Sequence, residues 1–287
     1  MERKVPKQVI LTLLPWYKKN FIKVKWKDSL SDFFHPTAGV RQGGVLSPFL
    51  FAIYIEEILN QLREHGKGCK IGKVYLGCIL YADDILLISQ SVTCMQLMLN
   101  ICSHVSKYLD LKFNAKKSAC MRIGKRCNVK CSKLLLDGVE LPCAEEINYL
   151  GITIMKGVKF GRSFCATKIK FYRSFNAIYS KASFACEDVL INLFRAYCLP
   201  IITYACEAVV PSRTDGRSLD KLVCLAFNKN FHTFDNGVID NVRCEFGLAN
   251  IMEILERRQR KFMDHYYKKE FTFCDTIFGI NCGNILS

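Results

Sequence analysis

Two adjacent acidic residues lie inside an otherwise apolar stretch, and this arrangement constrains the fold more than any other feature of the sequence. Asp83 and Asp84 are preceded by residues 78–82 (Cys-Ile-Leu-Tyr-Ala) and followed by residues 85–88 (Ile-Leu-Leu-Ile). Two short apolar runs separated by a few residues predict two antiparallel strands joined by a tight turn. Such a turn usually contains Asn-Gly or Asp-Gly, so two neighbouring carboxylates at this place need a further explanation.

A site for divalent cations is one such explanation. Adjacent carboxylates repel each other, and each is costly to desolvate beside buried strands. Magnesium removes both costs, prefers oxygen ligands and often uses one or two carboxylates together with substrate phosphates. A pair of such ions can align an attacking hydroxyl and a leaving pyrophosphate. The alternative is a polar turn that happens to contain two acids, and the four residues 81–84 alone do not decide between the two.

The charge balance indicates a polyanionic partner. The chain of 287 residues has 41 Lys and Arg against 26 Asp and Glu, a formal net charge of +15. Nucleic acid and acidic membrane surfaces are the usual partners of such an excess. The best uncharged run, residues 43–55, is shorter than the roughly 20 apolar residues that a spanning helix needs. No secretory signal precedes Lys18, so we expect an intracellular protein of nucleus or cytoplasm, neither secreted nor in a membrane.

The 16 cysteines are scattered without regular spacing, which favours reduced and mostly buried thiols over disulfides. Cys127 and Cys131 form the only tight pair, and neither a His nor a second pair lies nearby. We therefore expect no zinc site.

Hydrophobic periodicity and turn residues predict that the chain changes near residue 155, from alternating strands and helices to helices alone. Before it we expect helices at 6–20 (with Val9, Leu13 and Trp16 on one side), 47–63 (with Ser47 as N-cap) and 91–110, strands at 21–26, 33–34, 111–123 and 147–154, and a hairpin at 134–141. After it we expect helices at 163–184, 187–207, 215–232 and 249–268, the second of them kinked or ended by Pro200.

Four motifs, taken together, resemble the reverse transcriptases of non-LTR (LINE-type) retrotransposons. Residues 81–84 resemble the aromatic-Ala-Asp-Asp hairpin of that family, and residues 39–51 are similar to its Gly-Val-x-Gln-Gly-x-x-Leu-Ser-Pro-x-Leu-Phe stretch. Residues 111–118 resemble its strand carrying Asn and Lys, and residues 148–151 resemble its primer-grip hairpin. The order and the spacings of all four match the family, and residues 1–38 and 155–287 resemble it more loosely.

The resemblance implies a role for each motif. Asp83 and Asp84 are the expected catalytic ligands of two Mg²⁺ ions. The other expected contacts are Arg41, Gln42 and Gly43 with the template base and incoming nucleotide, Lys117 with the triphosphate, and Tyr149, Leu150 and Gly151 with the primer 3′ end. The implied partners are an RNA template, a DNA primer and dNTP. Each motif taken alone also has a structural explanation: a helix-capping turn, a solvated lysine and a core strand.

The fold implied is α+β. Residues 1–155 are expected to form an incomplete right-hand polymerase palm, an antiparallel sheet with helices on one face, and residues 156–287 an all-helical thumb. Basic thumb residues expected to contact the template–primer backbone are Lys168, Lys170, Arg173, Arg257, Arg258 and Arg260. The alternative for these residues is an ordinary solvated helix face.

One element of the family pattern is missing. The family has an earlier metal-binding Asp, expected upstream of the segment that begins at Met1, and Asp28 and Asp32 do not match its motif. We therefore expect a reverse transcriptase fragment that is inactive alone, because two adjacent carboxylates hold two metal ions poorly. The competing interpretation is a non-catalytic nucleic-acid-binding remnant or a co-opted protein. A group II intron maturase, which shares the palm, ranks lower.

Overall fold

The computed structural model describes residues 6–36, 39, 41–72 and 74–267. The helices are α1 (Lys7–Lys18), α2 (Ser47–Glu64), α3 (Val92–Tyr108), α4 (Cys165–Ala182), α5 (Glu187–Leu193), α6 (Leu199–Thr203), α7 (Arg213–Phe231), α8 (Asn236–Glu245) and α9 (Ile251–Tyr267). The strands are β1 (Lys25–Trp26), β2 (Ser29–Leu30), β3 (Lys70–Ile71), β4 (Val74–Tyr75), β5 (Cys78–Tyr81), β6 (Asp84–Leu87), β7 (Leu135–Leu136), β8 (Val139–Glu140), β9 (Glu146–Tyr149), β10 (Ile152–Met155) and β11 (Gly161–Ser163).

The strands pair into several small antiparallel sheets. β9, β10 and β11 form a three-stranded sheet with β10 in the centre, and the other strands pair as two-stranded hairpins, β1–β2, β3–β4, β5–β6 and β7–β8. The predicted α+β class is confirmed, but within the described residues the strands do not join into one continuous palm sheet. The strand β11 also lies beyond residue 155, so the region predicted to be all-helical begins with a strand.

A first hydrophobic core joins α2 and α3 to the β5–β6 hairpin. Ile55, Ile58 and Leu62 of α2 recur at helical spacing and are buried, and Met98 and Cys102 of α3 face them. Cys78 of β5 belongs to the same cluster. Each fully buried side chain of this size contributes about 1.5–3 kcal/mol to folding. This packing holds the hairpin against the two helices.

The β7–β8 hairpin packs on α3 through a small leucine cluster. Leu99 of α3 is buried with Leu134, Leu136 and Leu141. The side chain of Gln96 adds two hydrogen bonds to the hairpin, donating to the Leu135 carbonyl at 2.9 Å and accepting from the Leu135 amide at 2.8 Å. The predicted 134–141 hairpin is confirmed, with its turn at Asp137-Gly138.

A second core unites the helices after residue 163. Phe171 and Phe175 of α4 are buried with Phe194 and Phe227, and the rings of Phe194 and Phe227 meet edge to face at 5.8 Å. The helix predicted at 187–207 is interrupted just before Pro200 and ends at Thr203. Because proline lacks an amide hydrogen, the chain before it widens into a π-helical turn over Phe194–Cys198, and the Leu199 amide donates to the Phe194 carbonyl.

A buried ion pair ties three of these helices together. Arg243 of α8 donates to both carboxylate oxygens of Asp220 in α7, at 2.9 Å and 3.3 Å. The same carboxylate accepts from the amide of Ile251, where α9 begins, at 3.1 Å. The helix α8 was not predicted, and its place in this network explains how a short, mostly polar segment is held.

Several predicted elements near the N-terminus are shorter than expected. α1 is confirmed within the predicted range, but Val9 and Trp16 are 42% and 69% exposed, so the apolar side of α1 is not covered. The strand predicted at 21–26 is reduced to Lys25–Trp26 and a bridge between Ile22 and Phe34. None of the described residues from 6 to 46 is buried.

Two strand predictions were wrong for local reasons. Of the strand predicted at 111–123 only an isolated bridge between Cys120 and Cys143 is present. Asn114 organises a turn instead: its side chain accepts from the Lys117 amide at 3.2 Å, and its carbonyl accepts from the same amide at 3.0 Å. The strand predicted at 147–154 is instead the β9–β10 hairpin, which agrees with the hairpin implied by the family resemblance.

Candidate metal and nucleic-acid site

The twin acids lie where sequence reasoning expected them, at the turn of a two-stranded hairpin. Tyr81 of β5 pairs with Asp84 of β6, so Ala82 and Asp83 form a two-residue connection. Ala82 has φ +50, a left-handed value that favours glycine in most turns. Along β5 the buried Cys78 alternates with exposed residues, which anchors one face of the hairpin on α2 and α3 and leaves its tip in solvent.

The side chains of Asp83 and Asp84 are exposed and available to a cation. In the described part of the chain, neither carboxylate takes part in an ion pair or a side-chain hydrogen bond. No group of three potential metal ligands is found in that part either. Two carboxylates fit Mg²⁺ held jointly with phosphate oxygens, but they do not by themselves form a complete two-ion site.

The Tyr149 hydroxyl of the β9–β10 hairpin lies within electrostatic reach of Asp84. Burial raises the pKa of the Tyr149 hydroxyl, and the negative charge of Asp84, followed by Cys78, raises it further. The same hydroxyl is buried and has no hydrogen-bond partner in the structure. Tyr149, predicted at the primer 3′ end, therefore lies within electrostatic reach of Asp84, and its buried hydroxyl is left without a hydrogen-bond partner among the described residues.

The turn of that hairpin has a constrained backbone. Tyr149 pairs with Ile152, so Leu150 and Gly151 are the two turn residues. Their φ values of +46 and +81 match a type I′ turn, whose twist fits an antiparallel hairpin. Left-handed backbone is strained for leucine, so surrounding contacts must hold it there.

The glycine-containing loop before α2 folds back on the helix start. Ser47 donates its hydroxyl to the Arg41 carbonyl at 2.5 Å, and a Cβ on Gly44 would come within 2.7 Å of that hydroxyl. Ser47 is thus the first residue of α2 and not its N-cap, which corrects the prediction. Arg41, Gln42 and Gly43 are exposed. No hydrogen bond or ion pair between described residues joins them to the twin acids.

Lys117 is exposed on the Asn114 turn and not at a strand end. Its ammonium makes no ion pair with any described residue, so it is available to an anion. The structure does not bring Lys117 into contact with Asp83 or Asp84.

The predicted basic residues of the helical half differ in their surroundings. Lys170 and Arg173 of α4 are exposed and share a helix face by their spacing, while Lys168 is half-buried. In α9, Arg257 and Arg260 are exposed, whereas Arg258 makes an ion pair with Glu207. Four of the six predicted residues are therefore exposed charges without an ion pair among the described residues, one is half-buried, and one is already neutralised by an acid.

Arg162, a basic residue just before α4, lies in the core and not on the surface. It is only 8% exposed, donates to the Tyr204 carbonyl at 2.8 Å and lies over the ring of Phe164 at 4.5 Å. Tyr204, which no sequence pattern singled out, donates its hydroxyl to the Leu150 carbonyl at 2.9 Å. These two residues connect the helical half to the hairpin that holds Tyr149.

An α+β unit with an exposed acid pair at a hairpin tip fits the palm of a nucleic-acid polymerase. Residues 2–154 match the family model described as "Reverse transcriptase (RNA-dependent DNA polymerase)". The chain belongs to the reverse transcriptase family.

Curated relatives come from retrotransposable elements of insects. The chain is 30% identical over 130 residues, 42% of its length, to a Pol polyprotein of the type-2 element R2DM of Drosophila melanogaster. It is 26% identical over 202 residues, 68% of its length, to a Pol polyprotein of the type-1 element R2 of Popillia japonica. It is 25% identical over 182 residues, 59% of its length, to the RNA-directed DNA polymerase of the jockey element of Drosophila funebris. The resemblance to non-LTR reverse transcriptases is therefore confirmed.

These matches span only a small part of the relatives. They cover 12%, 28% and 19% of the R2DM, Popillia R2 and jockey proteins, respectively. The described residues contain no helix long and apolar enough to cross a membrane.

Proposed function

We propose that the chain binds an RNA template paired with a DNA primer and supplies two of the metal-binding carboxylates for nucleotidyl transfer. The exposure of Asp83 and Asp84 at one hairpin tip, beside Tyr149 of a second hairpin, is the observation that carries this proposal. The family membership and the net charge of +15 support it. Magnesium would supply charge neutralisation and alignment of the reacting oxygens.

The chain's own residues would divide the remaining work. Asp83 and Asp84 hold negative charge at the reacting end of the primer, and Tyr149 with Leu150 and Gly151 fixes that end. Arg41 and Gln42, in an exposed loop just before α2, face the template base and incoming nucleotide. The exposed ammonium of Lys117 balances the charge of the triphosphate.

The helical half would follow the duplex backbone. Exposed Lys170, Arg173, Arg257 and Arg260 provide sequence-independent phosphate contacts. We propose that residues up to about 155 act as the palm and that the helices from α4 to α9 act as the thumb, with β11 joining the thumb to the β9–β10 hairpin.

Nucleotidyl transfer by the 287-residue chain alone is expected to be absent. Two carboxylates space and anchor two ions poorly, and loss of a metal-anchoring group costs several orders of magnitude in rate. The proposal therefore separates into binding, which the chain carries out itself, and chemistry, which needs a further carboxylate.

The test is a pair of assays on the purified chain. Fluorescence anisotropy with an RNA–DNA primer–template measures binding, and extension of the labelled primer with dNTP and Mg²⁺ measures chemistry. We expect binding that weakens steeply with salt, and no extension. An absence of binding at low salt overturns the proposed function, whereas robust extension that is lost in Asp83→Ala overturns the expected inactivity.

A further inference from the structure

The two halves of the molecule meet at the turn between β9 and β10. Tyr204, immediately after α6, donates its hydroxyl to the carbonyl of Leu150 at 2.9 Å, across 54 positions of sequence. A Cβ on Gly151 would lie 3.3 Å from the Tyr204 ring, so the ring packs against the glycine itself. One aromatic side chain thus touches both residues of the turn.

The backbone of Tyr204 is held by the same sheet. Arg162 of β11 donates to the Tyr204 carbonyl at 2.8 Å, and Arg162 pairs with Ile154 of β10 in the ladder. Arg162 is buried, and its remaining contacts are with the ring of Phe164 and the thiol of Cys206. The end of α6 is therefore fixed to the three-stranded sheet at two points: the Tyr204 carbonyl and the Tyr204 hydroxyl.

These contacts explain how a strained turn keeps its shape. Leu150 has φ +46, a left-handed value that is strained for a residue with a side chain, and the hydrogen bond that its carbonyl accepts from Tyr204 opposes rotation of that peptide. Tyr149, whose hydroxyl lies near Asp84, is the residue immediately before this turn. A rotation at residues 150–151 would move Tyr149 relative to the twin acids.

We infer that Tyr204 is a positioning residue for the primer 3′ end: it couples the helices that contact the duplex backbone to the turn that holds the primer terminus beside Asp84. This inference rests on the proposed function. When the helical half shifts on the duplex, Tyr204 carries the displacement to residues 150–151. Arg162 makes the coupling stiff, because it fixes the backbone from which the Tyr204 side chain extends.

The test compares Tyr204→Phe, which removes only the hydroxyl, with Tyr197→Phe as a matched control. Tyr197 lies in the preceding π-helical turn and is 60% exposed, and its hydroxyl makes no hydrogen bond with any described residue. A second variant, Gly151→Ala, disturbs the same contact from the hairpin side. Circular dichroism establishes that each variant is folded.

Hydrogen–deuterium exchange without nucleic acid examines the contact itself. We expect residues 149–152 to exchange about fivefold faster in Tyr204→Phe, the effect of losing one hydrogen bond, and at the wild-type rate in Tyr197→Phe. Equal exchange in wild type and Tyr204→Phe overturns the coupling.

A primer with 2-aminopurine at its 3′ end examines positioning, while a fluorescein at the distal end of the duplex reports affinity. We expect Tyr204→Phe and Gly151→Ala to change the 2-aminopurine emission in the bound complex, with an affinity in Tyr204→Phe within about twofold of wild type, since phosphate contacts dominate affinity. Unchanged emission in saturated complexes overturns the positioning role. Failure of the wild-type chain to bind the duplex overturns the proposed function. The exchange experiment still tests the contact between Tyr204 and Leu150 in that case, because it needs no nucleic acid.

Discussion

The carboxylate of Asp84 and the hydroxyl of Tyr149 influence each other across two separate hairpins. Burial is the main cause of the raised pKa of Tyr149, and the charge of Asp84 is the next. The acid motif and the primer-grip motif, 65 positions apart in sequence, therefore lie within electrostatic reach of each other.

This relationship predicts an asymmetry between the twin acids. Asp84→Asn removes a negative charge that disfavours the phenolate, so the pKa of Tyr149 should fall, while burial still keeps it above its ordinary value. Asp83→Asn, the matched control, should leave it nearly unchanged, because Asp83 is not among the groups that act on Tyr149. The measurement is a pH titration of the ¹³Cζ resonance, assigned with Tyr149→Phe.

Added Mg²⁺ provides a second test of this prediction. A cation held by Asp84 offsets the same negative charge, so Mg²⁺ should lower the pKa of Tyr149 in the wild type and have no effect in Asp84→Asn. A response of equal size in both proteins would place the ion elsewhere.

The backbone of Ala82 predicts a stabilising substitution. Its φ of +50 is left-handed, which glycine adopts without strain, so Ala82→Gly should raise the free energy of unfolding by about 1 kcal/mol. Ala177→Gly is the matched control, because Ala177 is exposed within α4, where glycine should cost about 1 kcal/mol. Urea denaturation measures both. A loss of stability in Ala82→Gly would contradict the strain inferred for this turn.

The acid hairpin and the described helices other than α8 could be predicted from sequence because their signals are local. The apolar runs around Asp83 and Asp84 determine both the strands and the exposure of the turn, and the spacing of Ile55, Ile58 and Leu62 marks the buried face of α2. The resemblance to non-LTR reverse transcriptases then gave an expected role to each of the four motifs.

The remaining features depend on contacts that sequence patterns do not contain. Asn114 replaces a predicted strand by a turn through its own side chain, and Ser47 donates to Arg41 in place of capping its helix. Tyr204 contacts the 150–151 turn and Arg162 contacts Tyr204, across 54 and 42 positions of sequence respectively, and no local pattern contains such contacts. A basic residue in a basic stretch cannot be assigned to the core or the surface from spacing alone, and Arg162 lies in the core.

Buried thiols predict a loss of stability at alkaline pH. Burial raises the pKa of Cys102 from 9.0 to about 12, with a smaller effect from Cys78, and burial raises that of Cys78 to about 11. A group whose folded pKa is raised contributes stability that is complete below its unfolded pKa and is lost as pH rises through the folded value. The free energy of unfolding should therefore fall from about pH 9 and continue to fall up to about pH 12.

The control for this prediction is another cysteine. Under reducing conditions, Cys102→Ala should flatten the decline between pH 9 and 11, because it removes the group with the larger shift. Cys186→Ala, at an exposed position, should leave the slope as in the wild type. If the free energy of unfolding falls with pH at the same slope in the wild type, Cys102→Ala and Cys186→Ala, buried thiols do not cause the loss of stability at alkaline pH.

The Asp220–Arg243 pair predicts the most destabilising single change in the helical half. Asp220→Ala leaves a buried guanidinium without its partner and removes the acceptor for the Ile251 amide, so it should cost about 3–5 kcal/mol. Asp240→Ala, at an exposed position on α8, should stay within about 0.5 kcal/mol of wild type. Partial recovery in the double variant Asp220→Leu/Arg243→Met would confirm that the unpaired charge, and not lost packing, causes the damage.

Salt dependence distinguishes the basic residues that contact phosphate from those that serve the fold. Each phosphate neutralised contributes about 0.7–0.9 to the magnitude of the slope of log K against log salt. Lys170→Gln, Arg173→Gln and Arg257→Gln should each reduce the slope by about that amount, because these side chains are exposed and make no ion pair with any described residue. Arg258→Gln is the internal control: Glu207 already neutralises this arginine, so fewer counterions are released when it meets DNA or RNA.

The comparison of Arg257 with Arg258 is the sharpest form of this prediction, since the two residues are adjacent on α9 and differ in whether an acid partner is present. Anisotropy titrations at four or more salt concentrations give the slopes. If Arg258→Gln reduces the slope as much as Arg257→Gln, the ion pair with Glu207 opens on binding, and both arginines contact phosphate. If neither arginine variant changes the slope of log K against log salt while Lys170→Gln reduces it, the duplex contacts α4 and not α9.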